Sequence, residues 1–246
     1  MLARLIISIM ALFFSASNSG LAQENDFIEF TSNTVNIFGD EVAKNYSDII
    51  APTDEITWEI YLPMGYDVNK PAGVMIYVSP QNIINVPDSW MSIMDDKNLI
   101  WIAARNSGNE IFTTNRILYA LAAIQHLQDN YAIDTERTYI SGFSGGGRVA
   151  SIAASQYPSI FKGAAYICGA NFWNNISNEQ LHQLKDNRFV FITGTQDFNL
   201  DDTKQVYGKY KRSGAKNIKL MVISRMGHAT PKRNRFLQAI QFLDEN

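Results

Sequence analysis

The sequence predicts an α/β fold in which a mostly parallel central sheet carries helices on both faces. Short apolar, β-branched or aromatic runs alternate along the chain with longer segments whose apolar residues recur every three or four positions. Several of the short runs are too continuously apolar to have one face in water, which is typical of buried parallel strands. In such folds the functional groups gather at the carboxyl ends of the strands.

This alternating pattern can be followed from residue 57 to the end of the chain. The strands are predicted at Thr57–Leu62, Gly73–Ser79, Leu99–Ala104, Arg137–Gly142, Gly163–Cys168, Arg188–Thr193 and Asn217–Ser224. The helices are predicted at residues 113–131, 145–157, 201–214 and 231–246. Residues 23–55 are the least patterned part and are expected to form an irregular arm. Because no repeat or linker divides the chain, residues 23–246 are expected to form a single domain.

Composition narrows the class of protein. The chain has 246 residues, 46% of them hydrophobic and 18% charged, with a formal net charge of -3. A chain of this length can bury a sizeable core. It has no block of Lys and Arg long enough to neutralise a row of phosphates, so nucleic acid is not an expected partner. The sequence also lacks metal-ligand spacings and nucleotide-binding glycine loops, and we expect no cofactor and no metal.

The first 22 residues have the layout of a secretory signal peptide. Arg4 is followed by the apolar run Leu5–Phe14 and by small residues that end at Ala22. A membrane anchor is the alternative, but the apolar run is about half of the ~20 residues that a spanning helix needs. We therefore expect an exported protein, periplasmic or secreted, without a stable membrane anchor after cleavage. Its single cysteine, Cys168, lies in an apolar run and is expected to be a buried, inert thiol. The oligomeric state stays open.

Residues 142–150, GFSGGGRVA, place a serine and three glycines where a predicted strand meets a predicted helix. Glycine costs about 1 kcal/mol per residue relative to alanine inside a helix, so these glycines need a reason. A sharp turn at Ser144, with the helix beginning at Gly145, supplies one because its crowded backbone favours glycine. Gly142, Ser144 and Gly146 form G-x-S-x-G, which exposes the serine oxygen as a nucleophile. The pattern alone also fits an ordinary tight turn.

A nucleophilic serine needs a base that takes its proton and an acid that orients the base. Two histidines follow Ser144 in the chain. His182 falls in the polar helical stretch NEQLHQLKD and is expected to be solvated. His228 follows the last predicted strand and precedes the last helix, at the edge of the sheet where the serine is expected. We predict that His228 is the base, with an ordinary loop histidine as the alternative reading.

The acid is predicted to be Asp197. It comes four residues after the strand that ends at Thr193, on the loop at the carboxyl end of that strand. Asp201 and Asp202 are near enough to compete, but they lie at the start of the next predicted helix and are expected to cap it. Three roles at three strand ends are a stronger signal than the serine pattern alone.

Three short motifs of the chain are YLPMGYD at residues 61–67, SGFSGGG at 141–147 and the late GH at 227–228. Together they resemble the α/β-hydrolase family, and most of all its small secreted esterases related to feruloyl esterases and polyhydroxybutyrate depolymerases. The resemblance runs from Trp58 to the last helix. It implies an α/β-hydrolase fold and a carboxylic ester, small or oligomeric, as substrate.

One departure from the family concerns the oxyanion hole. The backbone N–H of Gly145, which follows the serine, is expected to be one donor. Family members usually carry His-Gly after the strand that corresponds to Gly73–Ser79, whereas this chain reads Ser79-Pro80. The second donor comes from this loop, and Pro80 has no N–H. Gln81 is therefore the positional candidate for the second donor.

Substrate contacts are less well marked. Phe172 and Trp173 fall where related hydrolases insert substrate-covering elements, and together with Trp90 they are candidates for lining the substrate pocket. Large aromatic side chains in such segments pack in the core at least as often. Arg148 is a candidate contact for an anionic substrate or a solvated helix residue. The turn at 105–109 is a candidate border of the cleft.

The sequence thus predicts a serine esterase that works through an acyl-enzyme, with Ser144, Asp197 and His228 as its triad. A serine peptidase or an acyltransferase using the same residues is the nearest alternative, because a triad does not choose the leaving group or the acceptor. A binding protein that retains the hydrolase fold is a third reading, since the usual His-Gly is missing.

Overall fold

An eight-stranded sheet runs through the part of the chain that the computed structural model describes, residues 27–173 and 176–245. The strands are β1 (Ile28–Ser32), β2 (Ile56–Tyr61), β3 (Ala72–Val78), β4 (Leu99–Ala104), β5 (Ile133–Phe143), β6 (Gly163–Ile167), β7 (Arg188–Gly194) and β8 (Asn217–Ile223). Their order is β1-β2-β4-β3-β5-β6-β7-β8. The pairings of β1 with β2 and of β2 with β4 are antiparallel, and all others are parallel. The predicted signal peptide, residues 1–22, lies outside the described residues.

Helices cover both faces of this sheet. They are α1 (Thr34–Phe38), α2 (Asp40–Lys44), α3 (Met91–Lys97), α4 (Thr113–Asn130), α5 (Gly145–Gln156), α6 (Asn178–Asp186), α7 (Leu200–Arg212) and α8 (Arg233–Leu243). Buried side chains of α4, α5 and α7 share one apolar cluster with one face of the sheet, and those of α3 and α8 share a second cluster with the other face. The predicted fold class is therefore confirmed. Within the described ranges, no helix is both long and apolar enough to cross a bilayer.

The strands are close to those the sequence predicts, and β5 shows why one bound differs. The strand begins at Ile133 instead of Arg137. Its first four residues include Asp134 and Glu136 and are partly buried or exposed, whereas Thr138 to Gly142 are buried. Apolar patterning therefore detects only the inner half of this strand. The outer half is set by its position in the sheet.

The segment at residues 23–55 differs from the expected irregular arm, because its described part contains β1, α1 and α2. The strand β1 pairs with β2 at the edge of the sheet, and Phe30 stacks on Trp58 at 5.7 Å. The side chain of Asn33 caps α1 by accepting the N–H of Asn36 at 2.9 Å. These short elements depend on contacts with the rest of the domain, which a local hydrophobic pattern does not reveal.

Candidate active site

Ser144 lies on the turn between β5 and α5 in a strained backbone conformation. Its φ is 54° and its ψ is -119°, a region that a residue with a Cβ rarely adopts. Such a conformation costs on the order of 1–3 kcal/mol and persists only where the surroundings hold it. Here the Ser144 N–H donates to the carbonyl of Ile167 on the neighbouring strand β6 at 2.8 Å. The strain and its anchor are those expected of an exposed nucleophile.

The glycines around Ser144 allow α5 to approach the ends of two strands. A Cβ at Gly146 would overlap the carbonyl oxygen of Val78, the last residue of β3. A Cβ at Gly147 would overlap the carbonyl oxygen of Gly169, which follows β6. Both obstacles are backbone atoms, so neither can move aside without shifting a strand end. Close packing at these positions thus explains glycines that are unfavourable for a helix.

The structure brings Ser144, His228 and Asp197 together at the carboxyl edge of the sheet. His228 Nε2 lies 2.9 Å from Ser144 Oγ, and His228 Nδ1 lies 2.8 Å from Asp197 Oδ1. An ionised carboxylate only accepts hydrogen bonds, so Nδ1 carries the proton that faces Asp197. In the neutral ring, Nε2 then accepts a hydrogen bond from the Ser144 hydroxyl group. The three side chains form one hydrogen-bonded chain that leads from the acid to the serine oxygen.

Asp197 is held as a buried carboxylate. Its side chain is fully buried, and burial alone would raise its pKa. Hydrogen bonds from Cys168, the Asn199 N–H, His228 and Thr193 outweigh burial and hold the pKa of Asp197 below its ordinary value. The Thr193 hydroxyl donates at 2.7 Å and the Asn199 N–H at 3.0 Å. The acid therefore stays ionised where a histidine base would work.

Cys168 is buried, as predicted, and lies beside the acid. Burial, together with the neighbouring Asp197, raises the pKa of the Cys168 thiol, which keeps it protonated. Cys168, Asp197 and His228 present ligand atoms within 4.8 Å of one another. A metal at these atoms would need the thiolate and would compete with the hydrogen bonds between Asp197 and His228. The donor set therefore fits a hydrogen-bonded acid and base better than a metal site.

Two aromatic rings flank His228. The ring of Phe143 lies 4.9 Å from the imidazole, and the ring of Phe198 stacks on it at 4.0 Å and 26°. Phe198 is 78% exposed, so most of its surface remains open beside the base. Phe198 is not among the residues predicted from the sequence to contact the substrate. Its position directly after Asp197, at a strand end, was the available signal.

The other candidates for the base and the acid, His182, Asp201 and Asp202, are not hydrogen-bonded to Ser144 or His228. His182 is on α6 and has no hydrogen bond to Ser144 or Asp197. Asp202 pairs with Arg148 at 2.7 Å, and Asp201 is exposed in the first turn of α7. Arg148 is thus neither free nor simply solvated. The arrangement selects Asp197 and His228 from the candidates that the sequence offered.

The predicted pocket aromatics are placed differently from the expectation. Trp90 is fully buried, stacks on Phe236 at 3.7 Å and donates its indole N–H to the carbonyl of Pro231 at 3.1 Å. Trp173 is in the core with its ring 4.0 Å from that of Tyr210. The prediction for both tryptophans is wrong, because their large apolar side chains pack in the interior between the sheet and the helices.

Phe172 is partly buried and packs against the apolar core cluster. Its ring packs on Trp173 at 4.8 Å, and the ammonium of Lys209 lies 5.9 Å from its centre. These residues line a groove between α5 and α7, and among the described residues neither Ser144 nor His228 contributes to that groove. The expected pocket contact of Phe172 is therefore corrected as well.

The predicted second oxyanion donor is also placed differently. The Gln81 N–H donates to the Ser79 hydroxyl at 3.1 Å, and that hydroxyl donates to the carbonyl of Ile83 at 3.1 Å. These bonds close a tight turn after β3, and they direct the Gln81 N–H into the turn instead of towards the substrate. The N–H of Gly145 stays the predicted first donor. Gly145 is the first residue of α5, so its N–H has no acceptor within the helix.

The chain has the α/β-hydrolase fold. This fold combines a mostly parallel sheet with a strained serine at a strand-to-helix turn, and the partners of the serine come from later strand ends. Comparisons with known proteins agree with this class. Residues 107–176, which include Ser144, match the prolyl oligopeptidase family (Peptidase_S9). The chain is 23% identical over 127 residues to poly(3-hydroxyalkanoate) depolymerase C of Paucimonas lemoignei. That match covers 46% of this chain and 31% of the relative, so the chain matches about a third of the relative's length.

Solved structures show the same fold over most of the chain. The feruloyl esterase module from Clostridium thermocellum has a TM-score of 0.64 at 13% identity, with 89% of this chain and 88% of that chain covered. The acylaminoacyl peptidase of Pyrococcus horikoshii has a TM-score of 0.63 at 16% identity, with 89% of this chain but only 41% of that chain covered. The resemblance to feruloyl esterases and polyhydroxybutyrate depolymerases is thereby confirmed as a similarity.

Proposed function

We propose that the protein is an exported serine hydrolase that cleaves carboxylic esters through an acyl-enzyme. The observation that carries this proposal is the continuous hydrogen-bonded chain from Asp197 through His228 to Ser144 Oγ, at 2.8 and 2.9 Å. These distances lie within the range needed for proton transfer between a nucleophile and its base. The strained turn that exposes Ser144 adds support, since such strain is typical of functional sites.

The proposed reaction follows from these contacts. Ser144 Oγ attacks the ester carbonyl while its proton passes to His228 Nε2, and Asp197 stabilises the imidazolium that forms. His228 then gives this proton to the leaving alcohol. A water molecule enters, loses a proton to His228 and attacks the acyl-enzyme, which releases the acid and restores Ser144. No cofactor takes part in these reaction steps.

The substrate proposal rests on similarity and on one exposed surface. A poly(3-hydroxyalkanoate) depolymerase and a feruloyl esterase module are among the similar proteins, which supports an ester as the scissile bond. Phe198 presents an exposed aromatic ring beside His228. An apolar or aryl group of the ester would gain apolar contact there.

A serine peptidase is the second candidate, and the match of residues 107–176 to the prolyl oligopeptidase family favours it. A matched pair of substrates separates the two: a 4-nitrophenyl ester and a 4-nitroanilide that carry the same acyl group. We expect the ester to be cleaved and the anilide to be cleaved slowly or not at all, beyond their difference in intrinsic reactivity. A higher kcat/KM for the anilide would overturn the esterase proposal in favour of the peptidase. An added alcohol that captures the acyl group faster than water does would instead indicate an acyltransferase.

Export has a separate test. Mass spectrometry of the protein from its native source is expected to find an N-terminus at or within a few residues of Gln23, because small residues precede that position. A mature protein that retains Met1 would contradict export by signal cleavage. Its hydrolase activity would be unaffected by that result.

A further inference from the structure

The side chain of Asn109 lies directly against the backbone of Gly145. A Cβ at Gly145 would overlap the Asn109 side-chain oxygen, and it would lie 2.9 Å from the amide nitrogen Nδ2. Asn109 belongs to the loop between β4 and α4, and its backbone N–H donates to the carbonyl of Pro80 at 3.0 Å. The loop after β4 therefore contacts both the loop after β3 and Gly145, whose N–H is the predicted first oxyanion donor. The absence of a side chain at Gly145 makes room for this amide.

The orientation of the Asn109 amide is set by Arg116. A guanidinium only donates hydrogen bonds, and Arg116 Nη1 lies 3.4 Å from Asn109 Oδ1. The amide oxygen therefore faces Arg116, and the Nδ2 hydrogens point away from it. Asn109 is exposed, and within the described chain its Nδ2 has no protein acceptor at hydrogen-bonding distance. A donor pair with no protein acceptor is thus held beside Gly145.

Arg116 is itself a buried part of this arrangement. It is only 4% exposed, and burial lowers the pKa of its guanidinium to about 10. Its Nη2 donates to the carbonyl of Ser79 at 2.7 Å, while Nη1 reaches Asn109. The Arg116 guanidinium thereby bridges the Ser79 carbonyl, directly after β3, and the Asn109 amide oxygen. A buried cation is unfavourable unless hydrogen bonds offset its lost hydration, and here these bonds go to Ser79 and Asn109.

We propose that the side-chain amide of Asn109 is the second oxyanion donor, in place of the backbone N–H of Gln81 that the sequence predicts. When Ser144 Oγ bonds to the carbonyl carbon, the π electrons move to the carbonyl oxygen and the serine proton moves to His228. The resulting oxyanion accepts hydrogen bonds from the Gly145 N–H and from Asn109 Nδ2. The tetrahedral carbon then expels the alcohol, which takes the proton from His228. This inference rests on the proposed acyl-enzyme reaction.

The test compares Asn109→Asp and Asn109→Ala with the wild-type protein on a neutral 4-nitrophenyl ester. Asp keeps the shape of the side chain and its acceptor for Arg116 but removes the donor and adds a negative charge. Loss of an oxyanion donor costs about 10²- to 10³-fold in kcat. We expect this loss in Asn109→Ala with little change in KM, and a larger loss in Asn109→Asp. Inhibition by a trifluoromethyl ketone, which forms the same tetrahedral oxyanion, should weaken in parallel in both variants.

Two further variants keep the test selective. Asn85→Asp adds the same charge in the loop after β3, at an exposed asparagine whose side chain makes no hydrogen bond among the described residues, and it should keep wild-type kcat. Gln81→Pro deletes the backbone N–H that bonds to Ser79, and it should lose less than tenfold in kcat while its melting temperature falls. Each variant is compared by thermal unfolding, so a lost fold is not counted as a lost donor.

The outcomes separate this inference from the proposed function. Wild-type ester hydrolysis with an unimpaired, folded Asn109→Ala overturns the Asn109 assignment and leaves the serine hydrolase proposal standing. A loss in Gln81→Pro of 10²-fold or more, with Asn109→Ala unaffected, would return the role to the Gln81 backbone. Failure of the folded wild-type protein to hydrolyse any ester would overturn the proposed function, and the Asn109 role would fall with it.

Discussion

The two halves of the candidate active site are specified in different ways. On one side, β5, β7 and β8 each deliver one group at or just after their carboxyl ends, and these groups meet as Ser144, Asp197 and His228. On the other side, the loops after β3 and β4 hold each other through Asn109, Pro80 and the buried Arg116. The first half follows from chain order and strand ends. The second depends on contacts of loop residues with each other and with a buried cation, which no residue pattern in the sequence marks.

This difference explains which functional residues can be found in a sequence. A nucleophile at a strand-to-helix turn has a local signature, because the strained backbone at Ser144 and the close packing of Gly146 require particular residues at fixed spacing. An amide that reaches the site from another loop has no such spacing. Its position becomes visible only once the cation that orients it is seen.

Among the changes that leave the proposed nucleophile in place, replacing the acid is expected to lower kcat the most. Asp197→Asn keeps the size of the side chain but can no longer accept the Nδ1 proton as an ion, so His228 adopts the wrong tautomer. We expect kcat for ester hydrolysis to fall about 10⁴-fold with the fold retained. Steady-state kinetics and circular dichroism measure the two quantities.

Asp201→Asn is the matched control for this change, because Asp201 is an exposed carboxylate four residues away in the first turn of α7. It should leave kcat within about twofold of wild type. Equal losses in the two variants would contradict the assignment of Asp197 and would break the contrast between the two halves of the candidate active site.

Packing at the elbow gives the next effect, this time on stability. Gly146→Ala forces a Cβ against the carbonyl oxygen of Val78, and the strand end cannot yield easily. We expect the free energy of unfolding in urea to fall by about 3 kcal/mol, the upper range for overpacking. Gly208→Ala in α7 is the control, since its Cβ would meet only the flexible end of Arg212 at 3.2 Å. It should be neutral or stabilising by up to about 1 kcal/mol. A neutral Gly146→Ala would mean that the elbow glycines are not packing requirements.

The smallest change in activity is expected at Phe198, a residue not predicted from the sequence. Phe198→Ala removes the exposed ring that stacks on His228. We expect kcat/KM to fall about tenfold for aryl or long-chain acyl esters and less for acetyl esters, because lost apolar contact is worth about 1–3 kcal/mol. Phe112→Ala, which removes a ring that is 81% exposed and does not touch the triad, should change neither value. An equal loss for acetyl esters would assign Phe198 to His228 positioning instead of substrate contact.

Much of the fold could be predicted from the sequence because its central strands are continuously apolar and its longer helices are amphipathic. The short elements β1, α1 and α2 could not, since they are half exposed and stabilised by distant contacts. For the site, Ser144, Asp197 and His228 were predicted as a group and are brought together. Trp90 and Trp173 could not be separated from core residues, because a large aromatic side chain has the same pattern in a pocket and in the interior.

In the proposed reaction, Ser144 is a nucleophile activated by His228. The most direct measurement is intact-protein and peptide mass spectrometry after incubation with a fluorophosphonate, which bonds covalently to an activated serine oxygen and releases fluoride. We expect one adduct, on the peptide that contains Ser144, and neither adduct nor ester hydrolysis in a folded Ser144→Ala protein. A folded wild-type protein that gains no adduct, or a Ser144→Ala protein that is labelled and hydrolyses esters as fast as wild type, would contradict this role of Ser144.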